Sequence, residues 1–204
     1  MQLSTRKISP RPHRGSHPAL SAAVFATGLD WMALAHRDDV LCGLTFGHAT
    51  PRQAVAALCR MLGTTGRTLS ADVIDGDSES TPVIGDVIDR LCRFAAGESV
   101  EFSDVEIDDR HLATFGRRVV AACRRIPLGQ TRTYGQLAAV CGSPGAARAV
   151  GQVMARNRYP LIVPCHRVLA AGGALGGFSA PQGLAMKRRL LAMESTTMCA
   201  PQSS

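Results

Sequence analysis

The apolar pattern of the chain changes near its middle, from short strand-like runs to helical stripes, and this change constrains the fold class. The apolar runs 22–27, 31–36 and 40–46 are separated by two turn-forming segments, which predicts a meander of three strands. Thr50, followed by Pro51 and Gln53, predicts the start of a helix, and a second helical stripe covers 82–96. The first half is therefore expected to be a sheet-plus-helix scaffold without chemistry of its own.

The second half is predicted to be helical and to contain a helix-turn-helix. A stripe over 111–125 predicts one helix, and a capping box at Thr133 opens a short helix over 134–140. Cys141-Gly142 breaks that helix, and Ser143-Pro144 is expected to cap the next one, which runs to about Asn157. Two helices joined by a short break with a glycine are typical of a helix-turn-helix, although any two helices can be joined in this way.

These patterns predict an α/β (α+β) fold, in which a small three-stranded N-terminal domain precedes a mostly helical C-terminal domain. The expected boundaries are a flexible basic arm over 1–18, the scaffold over 19–96, an acidic linker over 97–110, the C-terminal domain over 111–194 and a disordered tail over 195–204.

Charge is distributed unevenly between the two halves. Residues 1–115 carry a net charge of −4, whereas residues 116–204 carry +11, with 12 Lys/Arg against the single acid Glu194. Eleven of those 12 cations are Arg, which binds phosphates in bidentate fashion and stacks on bases. The asymmetry favours a nucleic-acid partner, and the alternative is a solvated basic face.

Cysteine usage favours a reducing, cytosolic or nuclear compartment. The 7 cysteines are scattered without a CxxC pair, so we expect free thiols. His13 and His17 have helical spacing but no cysteine nearby, so we expect no zinc site. No apolar run is long enough to cross a membrane. A faint resemblance to a signal peptide near the N-terminus is rejected, because Ser21, Thr27 and Gly28 dilute its apolar run.

The second helix of the predicted pair suits close contact with a DNA backbone. It presents small residues around a single long side chain, Arg148, with Ala147 and Gly151 among them. Such a helix cannot read bases in the major groove, but it could lie against a minor groove. Arg148 could then fill the gap left by a flipped-out base. The alternative is that the alanines pack internally and Arg148 is solvated.

Cys165 is the candidate nucleophile. It follows Pro164 at the end of the buried run 161–163, which is expected to be strand-like and to hold the thiol in place. The neighbouring His166 could take the thiol proton, and Glu194, the only carboxylate of the basic half, could orient that histidine. A Cys-His pair alone is more often structural than catalytic.

Four motifs occur together in residues 115–194. They are Pro-Cys-His-Arg-Val at 164–168, Gly-Gln-Thr-Arg-Thr-Tyr-Gly-Gln-Leu-Ala at 129–138, Ala-Ala-Arg-Ala-Val-Gly at 146–151, and Gly-Gly-Phe-Ser at 176–179 followed by Lys187 and Leu-Leu-Ala. In order and spacing they resemble the O6-alkylguanine–DNA alkyltransferases, also called methylated-DNA–protein-cysteine methyltransferases.

The resemblance implies a mechanism and a set of roles. Duplex DNA carrying O6-alkylguanine would be the substrate, and the damaged base would be flipped into a pocket beside Cys165, which would accept the alkyl group irreversibly without a cofactor or metal. O4-alkylthymine would be a further substrate, and the chain would act as a monomer. The remaining roles implied are a proton donor to guanine N3 (Tyr134), base contacts (the Val168 carbonyl and Ser179), a pocket wall (Phe178), a brace of the active-site segment (Asn157) and the residue that fills the stack (Arg148).

The chain departs from the family pattern at three places. Arg158-Tyr159 stand between Asn157 and Pro160, where the family commonly has Pro directly after the Asn. Phe178 occupies a position at which Tyr is frequent, and the segment 180–183 is longer than in some members.

Two competing functions are considered. A regulatory DNA binder with an idle cysteine would keep its cellular function after Cys165→Ala. A Cys-His hydrolase would turn over and would need an oxyanion site.

Overall fold

A four-stranded sheet forms the centre of the N-terminal half in the computed structural model, which describes residues 20–64, 70–73 and 81–199. The strands are β1 (Ser21–Thr27), β2 (Asp30–Arg37), β3 (Val40–His48) and β4 (Ser70–Val73), in the order β3-β2-β1-β4. β1, β2 and β3 form the predicted antiparallel meander, whereas β4, which was not predicted, pairs parallel to β1.

Alternate residues of these strands are buried on opposite faces of the sheet. Ala22 and Val24 pack against α1 (Pro51–Leu62), whereas Ala23 and Phe25 point into the main core. Because successive side chains point to opposite faces and both faces are covered, the strands are apolar along their whole length.

The first helix of the N-terminal half begins at the predicted cap, and the second helix covers the predicted stripe. Thr50 accepts a hydrogen bond from the Gln53 amide at 3.2 Å, and α1 ends at Gly63 with φ of 66°. α2 (Pro82–Ala95) begins after Thr81, whose side chain accepts from the Ile84 amide.

The predicted linker packs against the sheet. The Leu41 amide of β3 donates to the Glu106 carbonyl at 2.9 Å, and the Asp108 amide donates to the Leu41 carbonyl at 2.8 Å. One core cluster contains residues from both halves of the chain, so the segment joins two parts of a common core.

The C-terminal half is helical, as predicted, and the α+β architecture is confirmed. Its elements are α3 (Thr114–Arg124), β5 (Arg132–Thr133), α4 (Tyr134–Val140), α5 (Ala147–Ala155), β6 (Val168–Leu169) and α6 (Gly183–Cys199). The Thr133 capping box forms in both directions. α4 and α5 pack against each other, as the predicted helix-turn-helix requires. None of the helices among the described residues is long and apolar enough to cross a membrane.

Three local predictions were wrong. α5 begins at Ala147 and is not capped at Ser143, because Gly145 has φ of 91°, outside the helical region. The run 161–163 is buried but forms a turn, in which Leu161 has φ of 72°. The tail cannot begin at residue 195, since α6 continues to Cys199. The arm over 1–18 and residues 200–204 lie outside the described residues.

Candidate active site

Cys165 lies on a buried turn of 3-10 helix, Cys165–Arg167, directly after Pro164. Only 7% of Cys165 is exposed. The turn leads into β6, which pairs parallel with β5, so that Thr133 lies opposite Leu169. This short pairing brings the start of α4, and with it Tyr134, next to the Cys165 turn.

Glu194 of α6 forms hydrogen bonds with the two residues that follow Cys165. Its Oε1 lies 2.7 Å from His166 Nε2, and both its carboxylate oxygens accept hydrogen bonds from Arg167 at 2.8–3.1 Å. The Gly129 amide also donates to Glu194, at 3.3 Å, and Arg167 donates to the Ile126 carbonyl at 2.6 Å. All three side chains of this network are buried, and α6 thereby fixes the residues that follow Cys165.

The network favours an ionised Glu194 and a neutral His166. Burial would raise the pKa of Glu194, but the hydrogen bonds and charges of His166 and Arg167 outweigh it and lower the pKa to about 2. Burial lowers the pKa of His166. Because ionised Glu194 can only accept, the neutral imidazole donates from Nε2. His166 Nδ1 is fully buried and has no hydrogen-bond partner in the described residues, so its lone pair is free to accept a proton.

Cys165 is a thiol at neutral pH in this setting. Burial raises its pKa, although a hydrogen bond from Asn157 and the charge of Lys187 act in the opposite direction. A thiol of this kind needs a base, since the thiolate is the nucleophilic form.

Asn157 and Lys187 brace the segments on either side of Cys165. Asn157 donates to the Val163 carbonyl at 2.8 Å and accepts from the Tyr159 amide at 2.9 Å. Lys187 is fully buried and donates to the Val168 carbonyl at 2.7 Å. In the sequence, Lys187 was noticed only as part of a motif, and it stands next to the exposed cations Arg188 and Arg189, from which no local pattern distinguishes it.

Arg158 and Tyr159, the departure from the family pattern, tie the active-site segment to the N-terminal half. The Arg158 carbonyl accepts from the Leu44 amide of β3 at 2.8 Å, and the Tyr159 hydroxyl donates to the Asp108 carbonyl. The scaffold therefore helps to position the segment that carries Cys165.

A cavity of about 700 Å³ opens in front of the thiol. Seven predicted residues line it: Cys165, Tyr134, Ala147, Arg148, Gly151, Phe178 and Ser179. His166 and Glu194 lie behind the Cys165 turn, and Asn157 and Val168 support the segments beside it. Sequence reasoning missed Met154, Ala155 and Ala170 in the wall, because nothing distinguishes them from core residues.

Gly176 lets the chain pass close to Tyr134. It has φ of 66°, and a Cβ at this position would lie 3.2 Å from the Tyr134 ring and hydroxyl. Burial raises the pKa of Tyr134, which keeps its hydroxyl protonated.

Six cysteines are free thiols: Cys42, Cys59, Cys92, Cys123, Cys141 and Cys165. No group of three or more potential metal ligands occurs within residues 20–64, 70–73 and 81–199.

Comparisons with known proteins identify the family of this chain. A family model described as 6-O-methylguanine DNA methyltransferase, DNA binding domain, matches residues 114–196. The methylated-DNA–protein-cysteine methyltransferase of Mycolicibacterium paratuberculosis is 44% identical over 119 residues, which cover 58% of this chain and 70% of the relative. The protein of the same name from Mycobacterium bovis is 47% identical over 109 residues, covering 53% and 64%.

The likeness extends to the fold and to both halves of the chain. The crystal structure of Mycobacterium tuberculosis OGT in complex with DNA matches with a TM-score of 0.67 and 32% identity, covering 87% of this chain and 94% of that chain. By sequence identity, coverage and fold, this chain belongs to the methylated-DNA–protein-cysteine methyltransferase family.

Proposed function

We propose that this chain repairs DNA by transferring the alkyl group of O6-alkylguanine to its own Cys165. The observation that carries the proposal is the cavity of about 700 Å³ whose wall contains Cys165, with the His166–Glu194 pair behind the thiol. Membership of the family and the likeness to a relative solved with DNA support DNA as the substrate.

The first step is removal of the thiol proton. His166 Nδ1, the unpartnered buried nitrogen, takes the proton from Cys165, directly or through a water molecule. Glu194 stabilises the resulting imidazolium through its 2.7 Å contact with Nε2. The thiolate forms only when this base acts, because burial holds the pKa of Cys165 up.

The second step is a single displacement at the alkyl carbon. The Cys165 sulfur forms a bond to this carbon, and the carbon–O6 bond breaks with its electron pair passing to the base. Tyr134, a protonated phenol on the cavity wall, donates a proton to guanine N3 and neutralises the leaving base. The product is a thioether that water does not cleave, so each chain reacts once.

Base flipping brings the damaged guanine to the cavity in this proposal. Arg148 fills the gap in the stack, while Ala147 and Gly151 on the same helix let the DNA backbone come close. Phe178 and Ser179 contact the flipped base from the far wall. The Val168 carbonyl, which accepts from Lys187, also accepts from the amino group of the base in this proposal.

We extend the proposal to O4-alkylthymine, which carries the same kind of alkyl–oxygen bond. We also propose that the chain acts as a monomer, without a cofactor, in the cytoplasm or in the nucleus of a eukaryote.

The test uses duplex DNA with a radiolabelled methyl group on one guanine O6. Label is expected to pass to the protein until one methyl per chain has been transferred, and Cys165→Ala is expected to bind the duplex without accepting label. Turnover beyond one equivalent would show a hydrolase. An unlabelled wild-type chain that binds the duplex would show a DNA binder with an idle cysteine.

A further inference from the structure

A second cavity of the described residues does not contain Cys165. It is a cleft of about 1260 Å³ between β3 and α1 on one side and α5 with the following segment on the other. It shares only Ala155, Phe178 and Ser179 with the Cys165 cavity, so Phe178–Ser179 form a wall between the two sites. The proposed alkyl transfer does not use this cleft.

The charged side chains of its lining are all cations. Arg60, Arg156 and Arg158 line the cleft, and the side chains of these three residues have no hydrogen bond or ion pair within the described part of the chain. No Asp or Glu is among the lining residues. Three guanidinium groups without a counterion around one cleft favour an anionic ligand.

The two histidines of the lining are partly buried, and each lies within the field of one arginine of the cleft. Burial lowers the pKa of His48, and the charge of Arg60 lowers it further. Burial and the charge of Arg158 likewise lower the pKa of His111.

The carboxylates near His111 are already engaged. Asp108 forms an ion pair with Arg110 at 2.7 Å, and Asp109 forms one with Arg117 at 3.4 Å. Both ion pairs are formed with arginines that do not line the cleft, and the two carboxylates act on His111 against the charge of Arg158.

The floor of the cleft is apolar. Leu44 and Phe46 of β3 form it together with Phe115 of α3, and Phe46 contacts the ring of Phe178 edge-on at 6.4 Å between centroids. Gln53 and Gln152 add amide groups that can both donate and accept. An apolar floor with a few polar groups and a cationic rim suits a flat ring that carries a phosphate.

We propose that this cleft binds a nucleoside monophosphate, with the phosphate held by Arg156 and Arg158 and the base lying on the apolar floor. The site is distinct from the cavity that receives the damaged base. Because the Phe178–Ser179 wall belongs to both, the bound nucleotide lies directly behind the alkyl-transfer pocket.

The test is calorimetric titration of the full-length Cys165→Ser protein with deoxyadenosine monophosphate. We expect saturable binding of one equivalent. The double variant Arg156→Gln/Arg158→Gln should weaken it by at least about tenfold, because each substitution removes a charge-assisted contact to the phosphate. The matched control Arg125→Gln/Arg188→Gln removes two exposed arginines outside the cleft and should leave binding unchanged.

Saturating the protein beforehand with a duplex that contains O6-methylguanine shows which of the two cavities binds the nucleotide. Nucleotide binding that persists supports the cleft, and binding that disappears would place the nucleotide in the alkyl-transfer pocket. Absence of saturable binding at millimolar nucleotide would overturn the proposal, as would an equal loss in the control variant. Deoxyadenosine that binds as tightly as its monophosphate would contradict the role of the arginines, and inorganic phosphate that binds as tightly would contradict the role of the apolar floor.

Discussion

The Glu194→Gln variant is expected to lose about 3 kcal/mol of unfolding free energy. Glutamine keeps the size of the side chain but removes the charge that compensates Arg167, which is 8% exposed. Removing one partner of a buried ion pair costs about 3–5 kcal/mol, because the other charge stays buried without compensation. The lowered pKa gives a similar figure: a shift from 4.5 to about 2 corresponds to about 3 kcal/mol.

This contribution depends on pH with a defined sign. The folded-state pKa of Glu194 lies below its unfolded value, so the contribution is fully present above the unfolded value near 4.5. It is lost as the pH falls towards 2. In Glu194→Gln, the part of the acid sensitivity that comes from this carboxyl should be absent.

Urea unfolding at neutral pH measures the effect, and Glu98→Gln is the matched control. Glu98 pairs with Arg93 at 2.7 Å, but both side chains are 50% exposed, and water screens such surface pairs so that they contribute little to stability. If Glu194→Gln loses no more stability than Glu98→Gln, the buried network does not hold the Cys165 turn and the reasoning is refuted.

Three further variants test other parts of the site. Arg148→Ala should slow transfer from duplex DNA yet leave transfer from the free O6-methylguanine base unchanged, because only in the duplex does a flipped-out base leave a gap for Arg148 to fill. Equal slowing of both substrates in rapid-quench assays would contradict this role. Gly176→Ala should slow both reactions at least about tenfold, because the new Cβ would lie 3.2 Å from the Tyr134 ring and because alanine rarely adopts the backbone conformation of Gly176. An unchanged rate would show that Tyr134 can move without cost. Tyr159→Phe should lower the unfolding free energy by about 1 kcal/mol through loss of the hydrogen bond to the Asp108 carbonyl. An unchanged stability in urea would mean that this hydrogen bond between the two halves does not stabilise the fold.

Features that depend on neighbours in the chain could be predicted from the sequence. The strands of the meander follow from short apolar runs separated by turn residues, and the caps at Thr50 and Thr133 form where the spacing predicted them. Cys165 was identified from a local run of residues. Its connection to Glu194 could be suspected only because the basic half contains no other carboxylate.

Features that depend on contacts between distant segments could not be predicted. β4 has four residues and becomes a strand only by pairing with β1. The turn at Leu161 has φ of 72°, a conformation that its apolar sequence does not favour and that the surrounding contacts must maintain. The buried position of Lys187, bonded to the Val168 carbonyl, likewise follows from packing that no local pattern encodes.

Peptide mass mapping after reaction with an O6-methylguanine duplex identifies the residue that accepts the methyl group. We expect one added methyl group per chain, located on Cys165 and absent from the other cysteines, including the nearby Cys123. An intact, DNA-bound protein with unmodified Cys165, or a methyl group on another cysteine, would show that Cys165 is not the acceptor.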